Sequence, residues 1–294
     1  MDRSFHVSPH NTFMGSLGSF DSARYVVIGV PFDGTSSYRP GSRFGPRAVR
    51  EASNNIEAYS LRTRKGLASR EIHDMGDIDV IHGNTRETLK RVELVAKEVL
   101  EAKKMPVLIG GEHTLTYGSI KALKDGISVI HFDAHMDLRD SYMGEKLTHC
   151  TVMRRISEIV GVDAIIQFGI RSCSKEEYEF AEGKIIQFSS YDIQEDGVQS
   201  IMGSVKKLLS NLDGVYLTID MDILDPAYAP GVGNPEPGGL NFSTLLELVL
   251  GISEASKKVF GLDVVEIVPK YDNGSTAVTA AKIIYELLCA LSSR

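Results

Sequence analysis

One short segment places two carboxylates and one imidazole at alternate positions of the chain. The three residues are Asp133, His135 and Asp137. Side chains at alternate positions of an extended backbone point the same way, so this spacing predicts a row of three polar groups. Unpaired like charges repel, and burying them is costly unless a cation neutralises them. A divalent metal ion would neutralise this row, and the alternative is a solvated turn between two elements.

Two further stretches bring side chains of the same kind after apolar runs. Asp220 and Asp222 follow residues 215–219, and His113 follows residues 105–109 after two glycines and a glutamate. The candidate donors are two imidazoles and four carboxylates: His113, Asp133, His135, Asp137, Asp220 and Asp222. A donor set without thiolate favours Mn²⁺ or Mg²⁺ over structural Zn²⁺. Six donors suit a pair of ions about 3.5–4 Å apart that activates a water, so the predicted reaction class is metal-assisted hydrolysis.

The elements that must position these donors alternate regularly along the chain. Strands are predicted at 25–30, within 71–83, and at 105–109, 127–132, 164–169, 185–188, 215–219 and 260–268. Helices are predicted between them, including 84–104 capped by Asn84, 243–258 capped by Ser243, and 276–291. This order predicts an α/β fold with three layers, in which one central parallel sheet of about eight strands carries helices on both faces. Ligands bind such sheets outside the carboxyl ends of the strands, where the candidate donors fall.

The segment 71–83 also carries several carboxylates and histidines, among them Asp74, Asp77 and His82. Their spacing does not match a calcium-binding loop, and no glutamate closes the pattern at the twelfth position. We therefore interpret this segment as a short strand with solvated carboxylates.

Composition sets the broad class of protein. The chain has 294 residues, of which 43% are hydrophobic and 24% charged, and its formal net charge is −7. No composition break divides it, so we expect a single domain over residues 1–294 with residues 1–20 as an N-terminal extension. The negative charge argues against a nucleic-acid surface, and no apolar run approaches the ~18 residues that cross a membrane. Three scattered cysteines and a polar start favour the cytoplasm.

Five stretches resemble, in the same order, the signature segments of the ureohydrolase (arginase/agmatinase) family. They are residues 29–47, 110–113, 133–137, 218–231 and 263–272. The resemblance covers nearly the whole chain. It implies an arginase-like fold, an enzyme that cleaves a guanidino group to urea and an amine, two Mn²⁺ ions per chain, and a homo-oligomer of three or six chains.

The resemblance also implies roles for individual residues. One ion would be held by His113, Asp133, Asp137 and Asp220, and the other by His135, Asp133, Asp220 and Asp222. Asp137 would accept a proton from the attacking water, and Glu266 would pair with the substrate's guanidinium. His149 would pass a proton to the departing amine. The alternative for His149 is an ordinary histidine of a surface loop.

The other end of the substrate depends on less specific positions. Arg139 lies where arginases carry small polar residues, which argues against arginine as the substrate. Asn234 and Glu236 belong to a loop that resembles the agmatinase form, although a threonine is common in place of Asn234. Glu236 or Asp140 would attract a cationic tail. Arg139 would repel such a tail unless Asp140 or Glu145 pairs with it, and it would suit a carboxylate tail.

The predicted reaction is therefore the conversion of agmatine and water to putrescine and urea, a step of polyamine biosynthesis. The close alternatives are ureohydrolases that act on aminopropylagmatine, guanidinobutyrate or arginine. A remote alternative is a metal-dependent deacetylase on the related fold, which uses one zinc ion and two adjacent histidines. This sequence has no adjacent histidines. A catalytically silent binding protein is the third class, and the presence of all six donors argues against it.

Overall fold

One sheet of eight parallel strands organises the computed structural model, which describes residues 11–123 and 126–292. The strands are β1 (Tyr25–Val30), β2 (Ile72–Asp77), β3 (Met105–Gly110), β4 (Ser128–Phe132), β5 (Ile165–Ile170), β6 (Ile186–Ser189), β7 (Val215–Asp220) and β8 (Val259–Val265). Their order across the sheet is β2-β1-β3-β8-β7-β4-β5-β6, and every pairing is parallel. The predicted sheet is confirmed in strand number and direction.

Helices cover both faces of the sheet. They are α1 (Gly45–Ser53), α2 (Thr85–Glu101), α3 (Leu115–Ala122), α4 (Val152–Val160), α5 (Lys175–Ala181), α6 (Ser190–Asp196), α7 (Val198–Leu209), α8 (Phe242–Ala255) and α9 (Ser275–Leu291). The alternation of strand side chains separates two layers of core. Val27 of β1 packs in the cluster that contains α1, α7, α8 and α9, whereas its neighbour Ile28 packs in the cluster that contains α2. The three-layer arrangement is therefore confirmed.

The helix starts agree with the sequence at one site and differ at another. Asn84 caps α2, since its side-chain oxygen accepts from the backbone N–H of Glu87 at 3.1 Å. The prediction that Ser243 caps α8 is wrong. Asn241 is the cap and accepts from the backbone N–H of Thr244 at 2.9 Å, because its extended backbone lets the helix begin at Phe242.

The carboxylates of β2 are not all solvated, which corrects the interpretation of segment 71–83. Asp74 is almost fully buried and binds Arg50 of α1 through both oxygens, at 2.8 and 2.9 Å. Asp77 pairs with the same guanidinium at 2.5 Å. Asp74 also accepts from the backbone N–H of Phe13 at 2.7 Å. A buried arginine that the sequence pattern did not connect to this strand neutralises both carboxylates.

The predicted N-terminal extension covers residues 1–20, of which 1–10 lie outside the described residues. In the part that follows, Phe13 is fully buried in the same core cluster as α1 and α9. Residues 13–15 form a short 3₁₀ turn whose backbone is held by Asp74 and Ser53.

Four central strands bring their carboxyl ends to one edge of the sheet. These are β3, β8, β7 and β4, which are neighbours in this order. Gly111 lets the chain turn sharply after β3, because a Cβ there would lie 1.9 Å from the backbone oxygen of Phe32. Among the described residues, no helix is long and apolar enough to cross a membrane.

Candidate metal centre and active site

The segment 133–137 begins where β4 ends. β4 closes at Phe132, and Asp137 has a φ of 54°. Parallel pairing continues to His135, which bridges to Ser172, so the extended row predicted from the sequence is broken only at Asp137. A left-handed backbone at a non-glycine residue is strained and persists where the surrounding structure enforces it. The bend directs Asp137 to the same group as Asp133, and His135 to a different one.

Three carboxylates converge on one imidazole nitrogen. The Nδ1 of His113 lies 3.1 Å from Asp133 Oδ2, 3.2 Å from Asp137 Oδ2 and 3.4 Å from Asp220 Oδ2. All four side chains are buried. Although these oxygens are near, His113 Nδ1 has no hydrogen-bond partner of acceptable geometry. A buried nitrogen faced by three oxygens without a hydrogen bond requires an explanation, and a shared cation supplies one.

The other nitrogen of His113 explains why Nδ1 is free. His113 Nε2 lies 2.8 Å from the hydroxyl oxygen of Thr218, and that hydroxyl donates to Asp263 Oδ1 at 2.6 Å. Since the Thr218 proton is directed to Asp263, the proton between His113 and Thr218 belongs to Nε2. The Nδ1 lone pair therefore points at the three carboxylates. A metal-binding histidine fixed through its second nitrogen has this arrangement.

A second group adjoins the first through Asp133. His135 Nδ1 lies 3.0 Å from Asp222 Oδ2 and 3.4 Å from Asp133 Oδ1. The carboxylates are held by the backbone, since Asp222 Oδ1 accepts from the N–H of Ala134 at 3.0 Å and Asp220 Oδ1 accepts from the N–H of Asp222 at 2.8 Å. The two oxygens of Asp133 thus face two different histidines, as a bridging ligand would.

The carboxylates repel each other strongly in this buried setting. Burial, followed by the charge of Asp133, raises the pKa of Asp137 to about 7. Burial and the charges of Asp222 and Asp133 raise the pKa of Asp220 well above its usual value. The pKa of Asp222 is raised by burial and by Asp133. Asp133 is the exception: burial alone would raise its pKa, but the neighbouring histidines hold it well below the usual range.

These residues fit a pair of divalent ions. The donor atoms come from imidazole nitrogens and carboxylate oxygens, which suit Mn²⁺. In each of two groups of residues, every member offers one ligand atom, and these atoms lie within 4.8 Å of one another. The first group is His113, His131, Asp133 and Asp137, and the second is Asp133, His135 and Asp222. Positive charge at these two positions would relieve the repulsion that raises the carboxylate pKa values. The structure thus brings together all six predicted donors.

His149 is buried at the side of this centre. Its backbone N–H donates to the Thr35 hydroxyl oxygen at 3.1 Å, and its Nδ1 lies 3.3 Å from that oxygen. The Thr35 hydroxyl donates to Glu112 Oε1 at 2.6 Å, so Nδ1 carries the proton, and Nε2 accepts from Ser37 at 3.1 Å. Burial is the largest of the causes that lower the pKa of His149 to about 4. This neutral, oriented imidazole is not an ordinary surface-loop histidine.

Glu266 follows β8 and turns its carboxylate toward the same centre. Its φ is 62°, so it shares the strained backbone of Asp137. Its Oε1 accepts from the backbone N–H of His113 at 2.8 Å. A Cβ at position 233 would lie 3.1 Å from Glu266 Oε2, so Gly233 leaves room beside that oxygen. Burial and the charge of Glu112 raise the pKa of Glu266 well above its usual value, which favours a cationic partner.

A cavity of about 230 Å³ opens over the centre. Its wall includes His149, Glu266, Arg139, Tyr142 and Asn234. Five donors also reach it: His113, His135, Asp137, Asp220 and Asp222. This cavity is therefore the place where a substrate would meet the donors.

The residues predicted near the substrate's tail divide into two groups. Arg139 and Asn234 line the cavity, whereas Asp140 and Glu236 lie outside the lining. Asp140 instead accepts from Arg155 at 2.8 Å. The acidic partner of Arg139 is neither Asp140 nor Glu145 but Glu177, whose Oε2 lies 3.5 Å from Arg139 Nε.

Several residues of the site escaped sequence reasoning. They are His131, Thr35, Glu112, Glu177 and Thr218, each of which makes a hydrogen bond to another site residue or to the backbone beside one. His131 had a signal, since it lies two residues before Asp133, and side chains at this spacing point the same way in an extended chain. The others carry no local pattern, because their partners are distant in sequence.

Known proteins resemble this chain over nearly its whole length. The sequence model of the arginase family matches residues 23–290. An agmatinase of Bacillus subtilis is 41% identical over 282 residues, which cover 94% of each chain. An N(1)-aminopropylagmatine ureohydrolase of Thermococcus kodakarensis is 39% identical, with 92% of each chain covered. The crystal structure of an agmatine ureohydrolase of Thermoplasma volcanium superimposes with a TM-score of 0.90 at 35% identity, covering 99% of this chain and 98% of that one.

Proposed function

This chain belongs to the arginase family and is an amidinohydrolase, and from that premise we propose that it is a binuclear manganese ureohydrolase that converts agmatine and water to putrescine and urea. The observation that carries the metal part is the unpartnered Nδ1 of His113, which faces three carboxylate oxygens at 3.1–3.4 Å. A second imidazole and Asp222 continue the donor set on the other side of Asp133.

The residues divide the chemistry among them. Two bound manganese ions would supply a water whose pKa is close to neutrality. Glu266 holds the guanidinium through charge-assisted hydrogen bonds, and its Oε1 is already oriented by the His113 N–H. Asp137 accepts the proton of the water that attacks the guanidinium carbon. Neutral His149 relays the proton: the Nε2 lone pair, which faces the Ser37 hydroxyl, first takes up the proton released to Asp137 and then passes it to the departing amine. The carbon–nitrogen bond of the tail then breaks, which leaves urea and the amine.

Agmatine as the substrate is compatible with the charges of the cavity wall around Arg139. Arg139 would repel an ammonium group, but Glu177 lies 3.5 Å from its Nε and faces the same cavity. The pair brings the net charge of this wall close to zero, so a cationic tail is tolerated. The names of the relatives from Bacillus subtilis and Thermoplasma volcanium agree with this substrate.

One observation favours a second candidate, a guanidino acid such as guanidinobutyrate. The side chain of Arg139 is 40% exposed beside the cavity. A guanidinium binds carboxylates in a bidentate manner, so Arg139 could accept a carboxylate tail. The third candidate substrate is aminopropylagmatine, which resembles agmatine with a longer cationic tail. The name of the Thermococcus relative supports this candidate.

The test is urea release measured across agmatine, aminopropylagmatine, guanidinobutyrate and arginine with manganese-loaded protein. We expect the highest kcat/KM with agmatine. The highest kcat/KM with guanidinobutyrate would indicate that Arg139 binds a carboxylate tail and that the substrate is a guanidino acid. The highest kcat/KM with arginine would contradict the proposed substrate. Cytoplasmic location and assembly into three or six chains stay predictions, which cell fractionation and light scattering would test.

A further inference from the structure

His131 is a buried histidine beside the centre that lies outside the six proposed donors. It is fully buried within β4. Its Nε2 lies 2.8 Å from Asp133 Oδ2, and its Nδ1 lies 2.8 Å from the side-chain nitrogen of Gln167 on β5. By position alone, His131 could be a further metal ligand or a residue that orients a ligand.

The hydrogen bonds of Gln167 decide between these roles. Gln167 Nε2 also lies 2.9 Å from the backbone oxygen of Met136, which can only accept. Gln167 Oε1 accepts from Gln187 at 2.6 Å. The amide nitrogen of Gln167 therefore faces His131, and His131 Nδ1 accepts from it. The proton of the neutral ring is then on Nε2, which donates to Asp133 and has no lone pair for a metal.

The same hydrogen bonds determine how many protons the ring carries. Because Nδ1 accepts from Gln167, it has no proton of its own, so the single ring proton is on Nε2.

The donated hydrogen bond reaches one particular oxygen of Asp133. Oδ2 is the oxygen 3.1 Å from His113 Nδ1, whereas Oδ1 accepts from the backbone N–H of His135 at 2.6 Å. His131 and the His135 backbone thus hold the two oxygens from opposite sides. Together they prevent the carboxylate from rotating away from either position.

We propose that His131, with its tautomer set by Gln167, is a positioning residue that fixes Asp133 as the bridge between the two ions. The inference rests on the proposed metal centre. Because the bond is to Oδ2, its loss weakens chiefly the ion on the His113 side. Outer partners of metal ligands typically change metal affinity by about 10- to 100-fold, which is the effect expected for His131.

The test measures manganese affinity directly, without reference to activity. Metal-stripped wild type and the variants His131→Leu, His131→Gln and Gln167→Leu are titrated with Mn²⁺ against a chelator, and the electron paramagnetic resonance signal reports the coupled ion pair. Glutamine can place its amide nitrogen near the position of Nε2 and donate to Asp133, so it serves as the conservative variant. His73→Leu is the matched control, because the half-buried His73 makes its hydrogen bond to Gly18, outside the cavity lining.

We expect His131→Leu to bind one of the two ions about 10- to 100-fold more weakly, with His131→Gln close to wild type and Gln167→Leu in between. Wild-type affinity in His131→Leu would overturn the inference and leave the metal centre intact. An equal loss of manganese affinity in His131→Gln and His131→Leu would also overturn the inference. The missing group would then be a metal ligand and not a hydrogen-bond donor to Asp133. If wild type binds no manganese, the proposed function fails, and the inference fails with it. Thermal unfolding of the metal-stripped proteins shows whether each variant folds. If His131→Leu does not fold, the manganese affinities of Gln167→Leu and His131→Gln test the inference.

Discussion

The backbone N–H of His113 donates to Glu266 Oε1 at 2.8 Å, while the His113 side chain faces the carboxylates of the centre. One residue therefore connects the proposed metal donors to the carboxylate that would hold the guanidinium. The two residues follow β3 and β8, which are neighbours in the sheet. In the proposed reaction, the distance between the attacking water and the guanidinium carbon would therefore be set by two neighbouring strands of the sheet.

Replacing Glu266 tests the guanidinium site separately from the metal donors. Glu266→Gln keeps an oxygen for the His113 N–H but removes the negative charge. We expect kcat/KM for agmatine to fall by about 100-fold, since charge-assisted hydrogen bonds contribute about 1.5–3 kcal/mol each. Manganese content should not change. Glu254→Gln, at an exposed position of α8, is the matched control, and an unaltered kcat/KM in Glu266→Gln would exclude the assigned role.

Thr35 tests the orientation of His149. Thr35→Val removes the hydroxyl that accepts from the His149 backbone and donates to Glu112. We expect kcat to fall about tenfold with little change in KM, because the imidazole loses the oxygen that accepts from its Nδ1–H, and one such hydrogen bond contributes about 1.4 kcal/mol. Thr35→Ser retains the hydroxyl and should restore kcat. If both variants behave alike, Thr35 packs against the loop without orienting the imidazole.

Arg139 tests the tail end of the substrate. Arg139→Gln removes a positive charge from the cavity wall and leaves Glu177 without its 3.5 Å partner. The ratio of kcat/KM for agmatine to that for guanidinobutyrate should rise about tenfold, which corresponds to a charge interaction of about 1.4 kcal/mol near a surface. Arg62→Gln, at an exposed position, should leave the ratio within about twofold. A ratio that falls in Arg139→Gln would contradict the electrostatic account.

The pH dependence of stability tests the burial of His149. Its pKa in the folded protein is about 4, below the usual 6.5, with burial as the largest cause. Between these values the unfolded state binds a proton that the folded state does not, so stability decreases as the pH falls from about 6.5 to about 4. His149→Asn removes this contribution. In denaturant titrations of metal-stripped protein, wild type should lose more stability than His149→Asn over that interval, and parallel curves would argue against the low pKa.

Much of the fold could be predicted because its strands are continuous apolar runs. The strands around the centre are buried on both sides, so each one stands out between polar loops, as β7 does before Asp220. Helices α5 and α6 were not predicted. Each has seven residues, and neither is long enough to show a helical period. Their signals are the caps Ser174 and Ser189, each followed three residues later by an acidic residue.

The candidate donors could be predicted from type and spacing, but their surroundings could not. Six side chains of suitable chemistry follow strands, and parallel strands end at one edge. The partner of Arg139 is Glu177 on α5, which no periodicity connects to it. The spacing of His131 from Asp133 indicates that both side chains point the same way, but it does not reveal that Gln167 on β5 sets the tautomer of His131. Which side chains form such pairs depends on tertiary packing and not on local sequence.

Manganese content measured together with urea release tests the central claim most directly. Protein stripped with a chelator should release no urea from agmatine. Reloading with Mn²⁺ should restore urea release in proportion to occupancy, up to two ions per chain, as the six donors, five of them buried, imply. Urea release that is undiminished after complete removal of the metal, or a fully loaded protein that releases no urea from any guanidino substrate, would contradict the account.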